Sequence, residues 1–170
     1  HSEQIMLFGS CFAENIGNLL AGNKFLCDVN PFGILYNPMS IASALHQLIE
    51  KDVFEAKVLF LAHGRWNSWM HHSDFSSSSQ EETLAKVNSR FVKAKNKIAK
   101  ANWLMVTFGT AYVYIHKETL EVVGNCHKMP ERMFTRSMLD VKTIVNEWQD
   151  VLKKCREANP DLKVLFTVSP

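Results

Sequence analysis

Apolar residues follow two different periods along this chain. Short and largely apolar runs occur at Ile5 to Phe8, Phe25 to Val29, Trp103 to Phe108 and around Val164 to Val168, each long enough for a strand buried on both faces. Between them lie helical stripes: Phe12, Ile16, Leu19 and Leu20; Ile41, Leu45, Leu48 and Ile49; Leu84, Val87, Phe91 and Ile98; and Val141, Ile144, Val145, Trp148, Leu152 and Cys155. Each stripe begins behind a residue suited to cap a helix. Ser10 precedes the first, Asn37 with Pro38 the second, Ser79 with Glu82 in capping-box spacing the third, and Asp140 the fourth. Tyr112 to His116 and Leu120 to Val123 flank a short turn and predict a hairpin, whereas Val58 to Leu61 reads as a short strand or a turn. Strands alternating with helices predict an α/β fold with a mainly parallel sheet covered on both faces.

At 170 residues the chain has the length of one domain, with 46% hydrophobic and 21% charged residues. The balance of 19 basic and 17 acidic residues leaves +2, which supplies no electrostatic case for a nucleic-acid partner or an anionic membrane. Lys86, Lys93, Lys95, Lys97 and Lys100 read as the solvated face of the third helix. Cys11, Cys27, Cys126 and Cys155 lack paired spacing and read as free thiols of a reducing compartment. With no signal-peptide pattern and no apolar run of spanning length, a cytoplasmic location without membrane association is expected. The last run ends in Ser169-Pro170 and leads to no further element, so residues 1–170 read as one domain interrupted at its C-terminus.

Ligands of parallel sheets bind outside the carboxyl ends of the strands. The residues expected there are Gly9-Ser10, Asn30-Pro31-Phe32-Gly33, Gly109-Thr110 and Ser169-Pro170. A serine at a helix N-terminus suits a nucleophile and the oxyanion that it creates, although the plain alternative is an N-cap. Gly33 is small enough for a substrate oxygen to approach its N–H. The segment from His63 to Phe75 holds three histidines and two tryptophans without a clean period, and reads as a chemically loaded loop. Its histidines match no metal-binding spacing, and neither a metal nor another cofactor is expected.

The stretch Gly9 to Ala13 spells Gly-Ser-Cys-Phe-Ala, and the chain resembles the GSCFA family named for that motif, which is regarded as related to the SGNH/GDSL hydrolases. Further family-like blocks are residues 30–38 (Asn-Pro-Phe-Gly-Ile-Leu-Tyr-Asn-Pro), His71-His72-Ser73, residues 108–114 (Phe-Gly-Thr-Ala-Tyr-Val-Tyr) and Asn125-Cys126-His127-Lys128. The resemblance implies a three-layer α/β/α sandwich, flavodoxin-like in plan, that hydrolyses a small-molecule or glycan ester. Ser10 maps to the nucleophile and Gly33 to an oxyanion donor. Gly109 falls where a further block is expected, but Thr110 stands in place of the usual asparagine, leaving Thr110 or Asn125 as the third donor; Asn30 is a further candidate beside them. Gly33→Ala is expected to weaken turnover and leave the fold intact.

The resemblance places the general base on a histidine beyond Pro170, and within the chain His127 or His72 are the rivals. Two other readings stand beside the esterase. One is a non-catalytic carbohydrate-binding or interaction domain with Trp66 and Trp69 as a stacking surface. The other is a metal site drawn from His63, His71, His72 and His127. Neither the acyl group nor the oligomeric state is legible.

Overall fold

The computed structural model describes residues 2–169; His1 and Pro170 lie outside the described residues. In chain order the elements are β1 (Gln4–Gly9), α1 (Cys11–Gly22), β2 (Leu26–Val29), α2 (Pro38–Glu50), β3 (Leu59–Ala62), β4 (Arg65–Ser68), α3 (Gln80–Ile98), β5 (Trp103–Phe108), β6 (Tyr112–His116), β7 (Val122–Val123), β8 (Phe134–Met138), α4 (Val141–Ala158) and β9 (Lys163–Val168). The helices start where the capping residues predict. Ser10, Asn37, Ser79 and Asp140 are all N-caps that accept a first-turn N–H through the side chain.

The four apolar runs form one fully parallel sheet in the order β2-β1-β5-β9, flanked by helices on both faces, as an α/β/α sandwich requires. Alternation along β1 divides the layers. Met6 and Phe8 face a core shared with Leu104 and Val106 of β5, Ile41 and Leu45 of α2, Val87 and Phe91 of α3, and Trp148 and Val151 of α4. The opposite face meets α1, which approaches closely because Gly17 carries no side chain: a Cβ there would lie 2.5 Å from a Val29 methyl.

Four elements differ from the sequence reading. The segment from His63 is not a plain loop, because β4 pairs antiparallel with β3 and carries residues 65–68 into a hairpin. β8 pairs with β6 across from β7, making a three-stranded antiparallel sheet where only a hairpin was expected. β9 is an edge strand, with Leu165, Phe166 and Val168 exposed, rather than a buried one. The stripe of α4 is also rotated: Val141 and Val145 are exposed, and Val151 is buried beside Trp148 and Cys155.

The basic face of α3 is partly structural. Arg90 and Lys97 reach Asp28 of β2 at 2.9 and 3.4 Å, and Lys95 reaches Asp52 at 2.8 Å. Asp28 is held almost out of solvent at the flank of the sheet, so its two cations hold α3 against β2.

Candidate active site

β1 delivers Ser10 to the carboxyl edge of the sheet, where the chain turns directly into α1. Ser10 Oγ accepts the Phe12 N–H at 3.3 Å and the Ser10 carbonyl accepts the Glu14 N–H at 3.2 Å. The Cys11 N–H has no intrahelical acceptor, and the positive end of the helix dipole lies at the serine. Gly9 makes this turn possible. Its φ is +148°, and a Cβ would come within 2.6 Å of the Thr107 carbonyl oxygen. Gly109 closes the other side, where a Cβ would stand 3.4 Å from Ser10 Cβ. Ser10 is consequently only 4% exposed.

The expected edge loops do meet around this serine. Asn30, at φ +44°, accepts the Gly9 N–H on Oδ1 at 3.0 Å and donates its own N–H to Leu7 at 2.9 Å. Asn30 Nδ2 is buried without a partner, an unusual state for an amide and one that leaves an unused donor on the side chain that accepts the Gly9 N–H. The N–H groups of Gly109 and Thr110 both donate to Tyr36 O, at 2.8 and 3.1 Å. Ser169 joins the same edge by donating to Phe108 O at 2.8 Å, while its neighbour Pro170 lies outside the described residues.

Gly33 is tightly engaged. Its N–H donates to Asn30 O at 2.8 Å, closing the turn, so this amide is already occupied. Its φ is +84°, and a Cβ would fall 2.2 Å from His72 Cβ. The glycine is therefore the seat of His72, whose N–H also donates to Phe32 O at 2.8 Å. This overturns the expectation that Gly33→Ala leaves the fold intact, since a methyl group here must displace the His72 backbone.

His72 stands with Nδ1 3.0 Å from Asp74 Oδ2, and among the described residues its Nε2 makes no hydrogen bond. Nδ1 also accepts the Asp74 backbone N–H at 3.4 Å, as the cap of the short turn over residues 73–75. His72 lines a cavity of about 390 Å³ together with Tyr36, Thr110 and Asn125. Ser10 does not itself line this cavity; Gly109 links the two, since a Cβ there would stand 3.4 Å from Ser10 Cβ and equally 3.4 Å from the ring of the cavity residue Tyr36. Among the described residues, no histidine is hydrogen-bonded to Ser10 Oγ.

With this geometry in place, the comparison with known families is decisive: the GSCFA family matches residues 4–170. The chain belongs to the GSCFA family. No curated protein and no solved structure matches it.

The remaining candidates of this GSCFA chain are placed as follows. Asn125, which lines the cavity, donates its N–H to Trp69 O at 3.0 Å and accepts the His127 N–H on Oδ1 at 2.8 Å. His127 donates Nε2–H to Ser68 O at 2.8 Å, while Nδ1 is buried without a partner. Burial, reinforced by the nearby His72, pulls its pKa below the ordinary value. Both nitrogens of His127 are thus withdrawn from the cavity.

His71 sits in the core, stacked on Phe32 with centroids 4.7 Å apart and with Nδ1 2.8 Å from Ser68 Oγ. Burial, with His127 nearby, drives its pKa down to about 3. His63 is exposed in the β3–β4 turn. The four histidines named for a metal site do not converge, and among the described residues no group of three His, Cys, Asp or Glu side chains is arranged to hold an ion. Trp69 is not a free stacking platform either. Its ring lies 3.7 Å from Phe60, centroid to centroid, and meets Phe134 edge-on at 5.7 Å.

Sequence reasoning overlooked Tyr36, Asp74 and Arg136. Asp74 was detectable as a carboxylate two residues after His72. Arg136 lay in Phe-Thr-Arg-Ser-Met, a strand whose solvent-facing polar residues hide its period. No helix among the described residues is long and apolar enough to cross a membrane.

Proposed function

We propose that this GSCFA chain is a serine ester hydrolase acting on a small-molecule or glycan ester. The observation that carries the reading is the position of Ser10, at the carboxyl end of central strand β1 and the N-terminus of α1, with glycines on both sides. In this mechanism Ser10 Oγ attacks the ester carbonyl carbon as its proton passes to His72 Nε2, with Asp74 facing the imidazolium that results. The oxyanion is received at the helix N-terminus by the Ser10 and Cys11 amides, with Asn30 Nδ2 as the side-chain donor. The intermediate expels the alcohol, which takes the proton from His72. Water, deprotonated by the same ring, then releases the acid and restores Ser10.

Labelling with a fluorophosphonate and hydrolysis of 4-nitrophenyl acetate test this. Wild-type protein is expected to label once, at Ser10, and Ser10→Ala is expected to lose both signals. Equal turnover by Ser10→Ala overturns the nucleophile. If His72→Ala keeps the wild-type labelling rate, the base is another histidine.

One observation favours a second reading, a binding domain on the same fold. Ser10 is buried and the one hydrogen bond of its Oγ is the helix cap. Absence of labelling in a folded protein selects that reading.

A further inference from the structure

The chain contains three tyrosines, Tyr36, Tyr112 and Tyr114, and all three line the cavity that His72 lines. They come from separate places. Tyr36 precedes α2, whereas Tyr112 and Tyr114 share one face of β6 by strand alternation. Each is between 39% and 49% exposed, so the rings present surface to a ligand rather than filling the core.

Arg136 completes this wall. It lies directly across from Tyr114 in the β6–β8 register, and its guanidinium carbon stands 3.8 Å from the Tyr112 ring centroid. Stacking on a tyrosine fixes the plane of the guanidinium and leaves its N–H groups available at the edge. Among the described residues Arg136 has no carboxylate partner, and no Asp or Glu lines the cavity. Other cavities mix their charges: the one beneath α2 has Lys51 and Lys57 with Glu121 and Glu147, and the one at β2 has Asp28 with Lys97. An arginine fork stacked on one tyrosine, without a resident anion and walled by two more, matches a ring that carries a carboxylate.

We propose that this cavity is the substrate subsite and that Arg136 selects an anionic, ring-bearing ligand, a uronic acid or an aryl carboxylate, over its neutral counterpart. This deepens the esterase reading by naming the substrate class, and its binding part stands without catalysis.

4-Nitrophenyl β-D-glucuronide and 4-nitrophenyl β-D-glucoside differ only by a carboxylate in place of a hydroxymethyl group. Titrated into isotope-labelled protein and followed by amide shifts at Thr110, Gly124 and Asn125, the glucuronide is expected to bind about 10-fold more tightly. Arg136→Gln is expected to erase that preference, and Arg136→Lys to restore it only in part. Equal binding of the two glycosides by the wild type, or a full preference surviving in Arg136→Gln, overturns the proposal. In turnover, the ratio of kcat/KM for mono(4-nitrophenyl) succinate to that for 4-nitrophenyl butyrate is expected to fall about 10-fold in Arg136→Gln. If neither ester is hydrolysed while the glucuronide preference persists, the esterase reading has failed and the anion subsite stands.

Discussion

Replacing Gly33 by alanine separates two costs that glycine ordinarily hides. At φ +84° an L side chain is strained, by about 1–2 kcal/mol for a left-handed backbone. The added methyl would also lie 2.2 Å from His72 Cβ and 3.3 Å from His72 Cα, so the backbone must move rather than a flexible tip. Overpacking of this kind costs about 1–3 kcal/mol. The sum, about 2–5 kcal/mol, is a large share of the roughly 5–15 kcal/mol by which a domain is stable.

Gly64 supplies the control, since its φ is +70° and a Cβ there would meet nothing within 4 Å. Gly64→Ala is expected to lose only the strain, about 1–2 kcal/mol. Urea denaturation of wild type and both variants, with equal m-values, gives the difference directly. Gly33→Ala is also expected to shift the His72 ring resonances, which Gly64→Ala should leave in place. If the two variants lose the same stability, the close seat of His72 on Gly33 is wrong.

Other outcomes follow from other contacts. Arg90→Met leaves Asp28 buried with only the more distant Lys97 and is expected to cost about 3 kcal/mol, measured as a fall in the urea midpoint. Folded His71 takes a proton only near pH 3, whereas the unfolded chain does so near 6.5, so its contribution is complete above pH 6.5 and is lost as pH falls toward 3. Between pH 7 and 5 that share amounts to about 2 kcal/mol, and His71→Leu should flatten this part of the profile. Thiol labelling of native protein is expected to modify exposed Cys11 first and to reach Cys155 only on unfolding, because Cys155 is buried and its pKa is raised to about 11. Ser10→Ala is expected to cost about 1 kcal/mol through the lost cap, checked in the same denaturation series.

The parallel sheet and its four helices were legible because each helix starts at a capping residue and each strand run is apolar and ends at a glycine, asparagine or serine, even where the buried face of a helix differs from the stripe. Ser10 is the clearest case, since one residue carries both the helix cap and the family motif. The second sheet was less legible. Phe134 to Met138 buries only Phe134, so its side chains carry almost no period, and its pairing with β6 depends on contacts some twenty residues away. The role of Gly33 was legible only in part: the residue type announces a special backbone, but not that its N–H closes the Asn30 turn or that His72 rests on it. Likewise, nothing local in the two segments brings Arg136 over Tyr112, which strand register alone decides.

The central position of β1 also has a consequence in time. It pairs with β5, Ile5 lying opposite Trp103, so the strand that carries the nucleophile candidate is made first and flanked on both sides only after β5 exists. At roughly 5–20 residues per second on the ribosome, those ninety-eight residues take about 5–20 s to synthesise. Throughout that interval Ile5-Met6-Leu7-Phe8 has at most β2 beside it, leaving an apolar edge open to other chains. Yield of folded protein should therefore respond to growth temperature and to holding chaperones more strongly than the equilibrium stability of the finished domain would suggest.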